Sequence, residues 1–119
     1  MAPAAGAMSD TAPLSDPVQA FRERAKRDRA RTDRLMARLD GLRWRRAAQP
    51  LAELEALAHG LAGAGGTFGF PALSETAARL ERRLEGWRRK APTTLTARQI
   101  AGLRRLVERM AAELDVAAR

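Results

Sequence analysis

Leucines and alanines recur along this chain at alternating three- and four-residue intervals, with charged side chains filling the positions between them. Val18, Phe21, Ala25, Asp28, Thr32, Leu35, Leu39 and Leu42 form the first stripe, apolar at both ends and weak in the middle. Asp16-Pro17 precedes it, an acidic N-cap followed by proline at the first helical position, and Gly41 marks its expected end. A second stripe, Leu51, Leu54, Leu57, Ala58 and Leu61, is expected to start near Pro50 and to run into a glycine cluster that Gly69 breaks. Pro71 opens a third helix on Leu73, Ala77, Leu80, Leu84 and Trp87, which Lys90-Ala91-Pro92 stops. The fourth start is the best marked. Thr96 and Gln99 form a capping box, Leu95 can staple against Ile100, and the stripe continues through Leu103, Val107, Met110 and Leu114.

Four one-sided helices joined by short connectors bury their stripes only against one another, so the pattern predicts an all-α, antiparallel up-down four-helix bundle over residues 15–119. No segment alternates with period two, and no internal repeat is visible. Residues 1–14, rich in Ala, Pro, Gly and Ser without periodicity, are expected as a disordered lead-in. Composition agrees with a helical core: 45% of the 119 residues are hydrophobic but only 4% aromatic, with no tyrosine. That length favours one domain and leaves no room for an ATP-binding region beside the bundle. The absence of cysteine removes disulfides, thiolate chemistry and Cys-based zinc sites, and one histidine cannot build an HExxH cluster. No metal is expected on this chain, and a cytoplasmic location is. The first residues lack the charge and apolar run of a signal peptide. Residues 56–73 carry no charged side chain, but five glycines and Pro71 interrupt them, so no membrane span is expected.

Charge changes the picture at one place. The net charge is +8, and the excess is concentrated in residues 17–46, where eleven basic residues accompany four acidic ones. Arg22, Arg24, Lys26, Arg27, Arg29, Arg31, Arg34 and Arg38 have the footprint of a nucleic-acid face. Glu23, Asp28 and Asp33 interrupt the run, however, and Trp44, near Arg43, Arg45 and Arg46, is the one aromatic beside it. A solvated face with local ion pairs ranks first, steering of an acidic partner second and nucleic acid third.

The candidate chemistry sits between Leu57 and Pro71, around His59. Gly60, Gly65 and Thr67 fit a phosphate-loop pattern, but Gly66 occupies its lysine position and the segment follows a helical pattern where that motif needs a strand. A lone histidine can also be incidental. Its phase argues otherwise: at 100° per residue, His59 lies roughly 140° from the leucine stripe and faces solvent. Ala52, Ala56, Gly63 and Gly66 share its side, with Ala62 and Glu55 at the margin. A glycine inside a helix costs about 0.5–1 kcal/mol relative to alanine, so this bare face calls for a reason. Close approach of a partner supplies one. Neutral imidazole is a good nucleophile near neutral pH, able to take a phosphoryl group from an aspartyl phosphate and return it, and in-line transfer requires small neighbours.

These residues resemble the histidine-containing phosphotransfer (HPt) domains of multistep phosphorelays, in detail from Leu54 to about Trp87. The family pattern is a histidine, a lysine three residues on, a glycine next to that and another glycine six further along; His59, Gly63 and Gly69 match it. Thr67-Phe68-Gly69 and the run Leu73, Ala77, Leu80, Glu81 also resemble the family. The resemblance implies that His59 is phosphorylated on Nε2, that Glu81 hydrogen-bonds Nδ1 and orients the ring, and that Gly69 is a structural turn. It implies receiver docking over Ala56, Ala62, Gly63 and Gly66. Ala62 stands where the pattern has lysine, leaving charge compensation to Arg79, Arg82 or Arg83, or to the partner's own lysine and Mg²⁺.

The leading expectation is therefore a monomeric phosphotransfer intermediate, not an enzyme with its own ATP site, that shuttles a phosphoryl group between aspartates of receiver domains and works with a histidine kinase, hybrid or otherwise. Mg²⁺ would belong to the receiver. The alternative is a helical interaction protein in which His59 is incidental, either a degenerate non-phosphorylated relative or a nucleic-acid-binding bundle using residues 22–46.

Overall fold

In the computed structural model, which describes residues 16–39, 44–92 and 94–119 with the backbone alone at 44–46, the regular structure is four helices. They are α1 (Pro17–Leu39), α2 (Trp44–Thr67), α3 (Pro71–Lys90) and α4 (Ala97–Ala117). The lead-in at 1–14, the helix end at Gly41 and the stripe position Leu42 lie outside the described residues.

Local chemistry sets the helix ends. Asp16 Oδ1 accepts from the Gln19 amide at 2.8 Å, satisfying one orphan donor of α1. At the end of α2, Gly69 takes φ +87°, its N–H donates to the Gly66 carbonyl at 3.4 Å, and the Phe70 N–H donates to the Gly65 carbonyl at 2.7 Å. This paired return is a Schellman turn, which needs the left-handed conformation that glycine adopts without a Cβ penalty. Pro71 starts α3 one residue later, and Ala91 ends it with φ 46° and its N–H on the Trp87 carbonyl. The capping box of α4 is complete: Gln99 N–H donates to Thr96 Oγ1 at 3.1 Å, and Thr96 N–H donates to Gln99 Oε1 at 2.7 Å.

Two details differ from the sequence reading. Helix α2 begins at Trp44 rather than near Pro50, which lies inside it. Ala47 is buried and sits four residues before Leu51, so the apolar stripe continues through the proline and packing holds the additional turns. Val18, placed in the α1 stripe, is 42% exposed because it lies in the first turn of the helix, beyond the packed register that starts at Phe21.

Each helix packs on two others in the ring α1–α2–α3–α4–α1. Contacts run in opposite order along neighbours. Phe21 at the start of α1 stacks on Phe68 just after α2, with ring centroids 4.9 Å apart, while Arg38 at the end of α1 reaches Glu53 near the start of α2. Glu55 pairs with Arg88 and His59 with Glu81, again in reversed order. Neighbours α1, α2 and α3 thus alternate in direction, as an up-and-down bundle requires, and Leu54, Leu61, Leu80, Leu84, Met110 and Leu114 are buried in the core.

Five of the eight basic residues of α1 are ion-paired. Lys26 pairs with Glu23, Arg24 with Asp28, Arg29 with Asp33 and Asp115, and both Arg31 and Arg38 with Glu53. Hydrogen bonding from Arg38 holds the Glu53 carboxyl below its usual range, and Asp33 raises the Arg29 guanidinium further. These pairs fit the solvated, ion-paired face that ranked first. The side chains of Trp44, Arg45 and Arg46 lie outside the described residues, as does Arg43.

Candidate functional site

His59 lies on α2 with its side chain 76% exposed, standing on open surface rather than in a cavity. Its Nδ1 is 2.6 Å from Glu81 Oε2 on α3, a charge-assisted contact that fixes the ring's tautomer and direction, with Nδ1 carrying the hydrogen. Glu81 is half-buried, its carboxylate receiving the imidazole from the α2 side. Among the described residues, Nε2 has no hydrogen-bond partner.

The pair is bracketed along the α2–α3 seam. On one side, Arg88 grips Glu55 through a two-point fork, Nε to Oε1 at 3.1 Å and an Nη to Oε2 at 3.0 Å. That contact raises the Arg88 guanidinium. On the other side, Ser74 Oγ donates to the Ala62 carbonyl. Ser74, Glu81 and Arg88 are seven residues apart, so they fall on one edge of α3, opposite Ala62, His59 and Glu55 on α2. The sequence reading identified Glu81 but missed its two flanking clamps. The seven-residue spacing was the available signal.

The glycines around His59 separate into distinct roles. Gly63 is exposed, and a Cβ there would meet nothing within 4 Å, so its surface is open to an incoming partner. Ala56 and Gly66 are exposed as well, while Ala62 is half-buried against the core cluster. Gly66 also faces α3, since a Cβ would lie 3.6 Å from Ser74 Oγ. Gly65, weighed from sequence only as part of a phosphate-loop pattern, is buried, and a Cβ there would come within 3.0 Å of the Ser74 amide nitrogen and 3.2 Å of the Phe70 carbonyl. It lets the start of α3 approach the backbone of α2. Gly69 forms the turn described above.

Of the arginines considered as substitutes for the lysine missing at Ala62, Arg83 points to α4: its Nη1 lies 2.7 Å from where a Cβ of Gly102 would be. Arg79 and Arg82 are exposed on α3. A cation that sequence reasoning did not connect to the site is Arg24 of α1. One of its terminal nitrogens lies 2.8 Å from the Cβ position of Gly60, the residue after His59.

Among the described residues, no group of three or more His, Cys, Asp or Glu side chains is placed to hold a metal ion, and no helix is long and apolar enough to cross a membrane. Comparison with curated proteins and with solved structures returned no match. The family model of the Hpt domain matches residues 16–113, a span that contains all of α1, α2 and α3, most of α4, and both members of the His59–Glu81 pair. With that match over a four-helix bundle bearing an exposed histidine, the chain belongs to the Hpt domain family, whose members carry phosphoryl groups on histidine in phosphorelays with histidine kinases and receiver domains.

Proposed function

We propose that this chain is a phosphotransfer intermediate that carries a phosphoryl group on His59 Nε2 between aspartates of receiver domains. The observation that carries the reading is the exposed imidazole tied to Glu81 through Nδ1 at 2.6 Å, which leaves Nε2 as the accessible nucleophile. The Nε2 lone pair attacks the phosphorus of a receiver's aspartyl phosphate as the bond from phosphorus to the carboxylate oxygen breaks, and that electron pair returns to the aspartate. The imidazole becomes cationic, and Glu81 offsets the new charge through the Nδ1 hydrogen. Return to a second receiver reverses the step. Mg²⁺, in this reading, is bound by the receiver beside its own aspartate.

The supporting surface is Ala56, Gly63 and Gly66, small residues that let a receiver's loops reach the ring. Incubation with a phosphorylated receiver domain should move label to this chain in an acid-labile, base-stable form, and His59→Ala should abolish it. Label that persists in His59→Ala, or its absence with every receiver and with phosphoramidate as a small donor, would overturn the assignment.

A further inference from the structure

Ala62 leaves the phosphoryl site without a cation from its own helix, and the structure contains one that approaches from another. Arg24 of α1 places a terminal guanidinium nitrogen 2.8 Å from the Cβ position of Gly60, next in sequence to His59. Its Nε is 3.2 Å from Asp28 Oδ2, and Asp28 is itself half-buried, so the guanidinium is held by its inner edge. The terminal nitrogens make no hydrogen bond among the described residues. Arg24 is thus aimed by one carboxylate with its outer donors left open. No larger residue than glycine fits beneath it at position 60 unless the guanidinium shifts. A Cβ there would push aside only the flexible end of the Arg24 side chain, so the glycine is what lets the guanidinium rest in this place.

From this juxtaposition we infer that Arg24 is the phosphoryl-binding cation of this protein, its terminal N–H groups taking the oxygens of the group on His59 in place of the missing lysine. The inference rests on His59 as the phosphoacceptor. A dianionic phosphoryl group on Nε2 draws the guanidinium from the space over Gly60, while Asp28 keeps its Nε. The contact is stronger with the intact phosphoryl group than with the loosened, less charged species that forms as the P–N bond breaks. Arg24 therefore prolongs the phosphohistidine and shifts the equilibrium share of label from receiver aspartate to His59.

The test uses the full chain phosphorylated with phosphoramidate, where Nε2 displaces ammonia and no receiver is needed, and follows hydrolysis of the isolated phosphoprotein. Arg24→Ala should shorten the phosphohistidine lifetime by about three- to tenfold. Gly60→Ala should do so to a similar extent while keeping the charge, because the added methyl displaces the guanidinium. Melting curves establish that both variants are folded, and the phosphorus NMR shift of the phosphohistidine should move in both. Arg82→Ala serves as the comparison and should leave the lifetime unchanged. Unaltered lifetimes in Arg24→Ala and Gly60→Ala, or a loss confined to Arg82→Ala, would overturn the role of Arg24 while leaving His59 phosphorylation intact. A wild-type chain that takes no label would instead remove the underlying assignment.

Discussion

A histidine whose Nδ1 is engaged by a carboxylate differs from a free surface histidine in tautomer, orientation and tolerance of positive charge. Glu81 supplies all three at His59, so its loss should act on chemistry more than on fold. Glu81→Gln keeps the size and one acceptor oxygen but removes the negative charge that offsets the phosphorylated ring. We expect the rate of transfer from a receiver to fall about tenfold, equivalent to about 1.4 kcal/mol of differential stabilisation of the charged ring, with the melting temperature little changed because the His59 side chain of the pair is 76% exposed. Single-turnover transfer at saturating receiver measures this, and an unchanged rate would show that Glu81 has no part in the step. At this scale the sequence made His59 legible through its phase opposite the leucines, and Glu81 through its place on the flank of the α3 stripe. Arg24 was not legible, because its approach to Gly60 depends on the axial register between α1 and α2, which no periodicity within a single helix reveals.

Helix α2 carries the division of labour among small residues, and two neighbouring glycines should respond in opposite ways. Gly63→Ala adds a methyl into open space and removes a helix-interior glycine, so it should stabilise the fold by about 0.5–1 kcal/mol while slowing transfer from the receiver. Gly65→Ala places a Cβ 3.0 Å from the Ser74 nitrogen and 3.2 Å from the Phe70 oxygen, backbone atoms that move only with the start of α3. It should destabilise by about 1–2 kcal/mol, the overpacking cost outweighing the gain in helix propensity. Denaturant titration of both variants checks the signs, and stabilisation by Gly65→Ala would show that α2 and α3 are not in close backbone contact there. Helix starts and stops with a side-chain or glycine device, such as Asp16, Gly69, Pro71 and the Thr96–Gln99 box, were readable from sequence. The start of α2 was not, because a buried Ala47 extends the packed stripe beyond a proline that reads locally as a beginning.

At the scale of the whole molecule, four stripes were enough to specify a bundle, since helices with one apolar face and short connectors have no other way to remove that face from water. The charge distribution required the structure. The interspersed acids already favoured an ion-paired face over a nucleic-acid footprint, and the structure supplies the partners: five basic residues of α1 are paired with carboxylates of α1, α2 or α4. Arg27 and Arg34 are exposed with no ion-pair partner among the described residues. If the receiver presents an acidic surface, their long-range positive field should speed encounter with it. The second-order rate constant for transfer should therefore fall steeply between low and physiological salt, whereas the first-order rate at saturating receiver should stay nearly constant, because screening weakens encounter but not chemistry within the docked complex. Charge reversal at both positions, Arg27→Glu with Arg34→Glu, should reproduce the effect at low salt and flatten the salt dependence. Rapid-mixing transfer assays over a salt series separate the two constants. Equal salt sensitivity in both would place the charges in the docked contact, and insensitivity of both would remove the steering role.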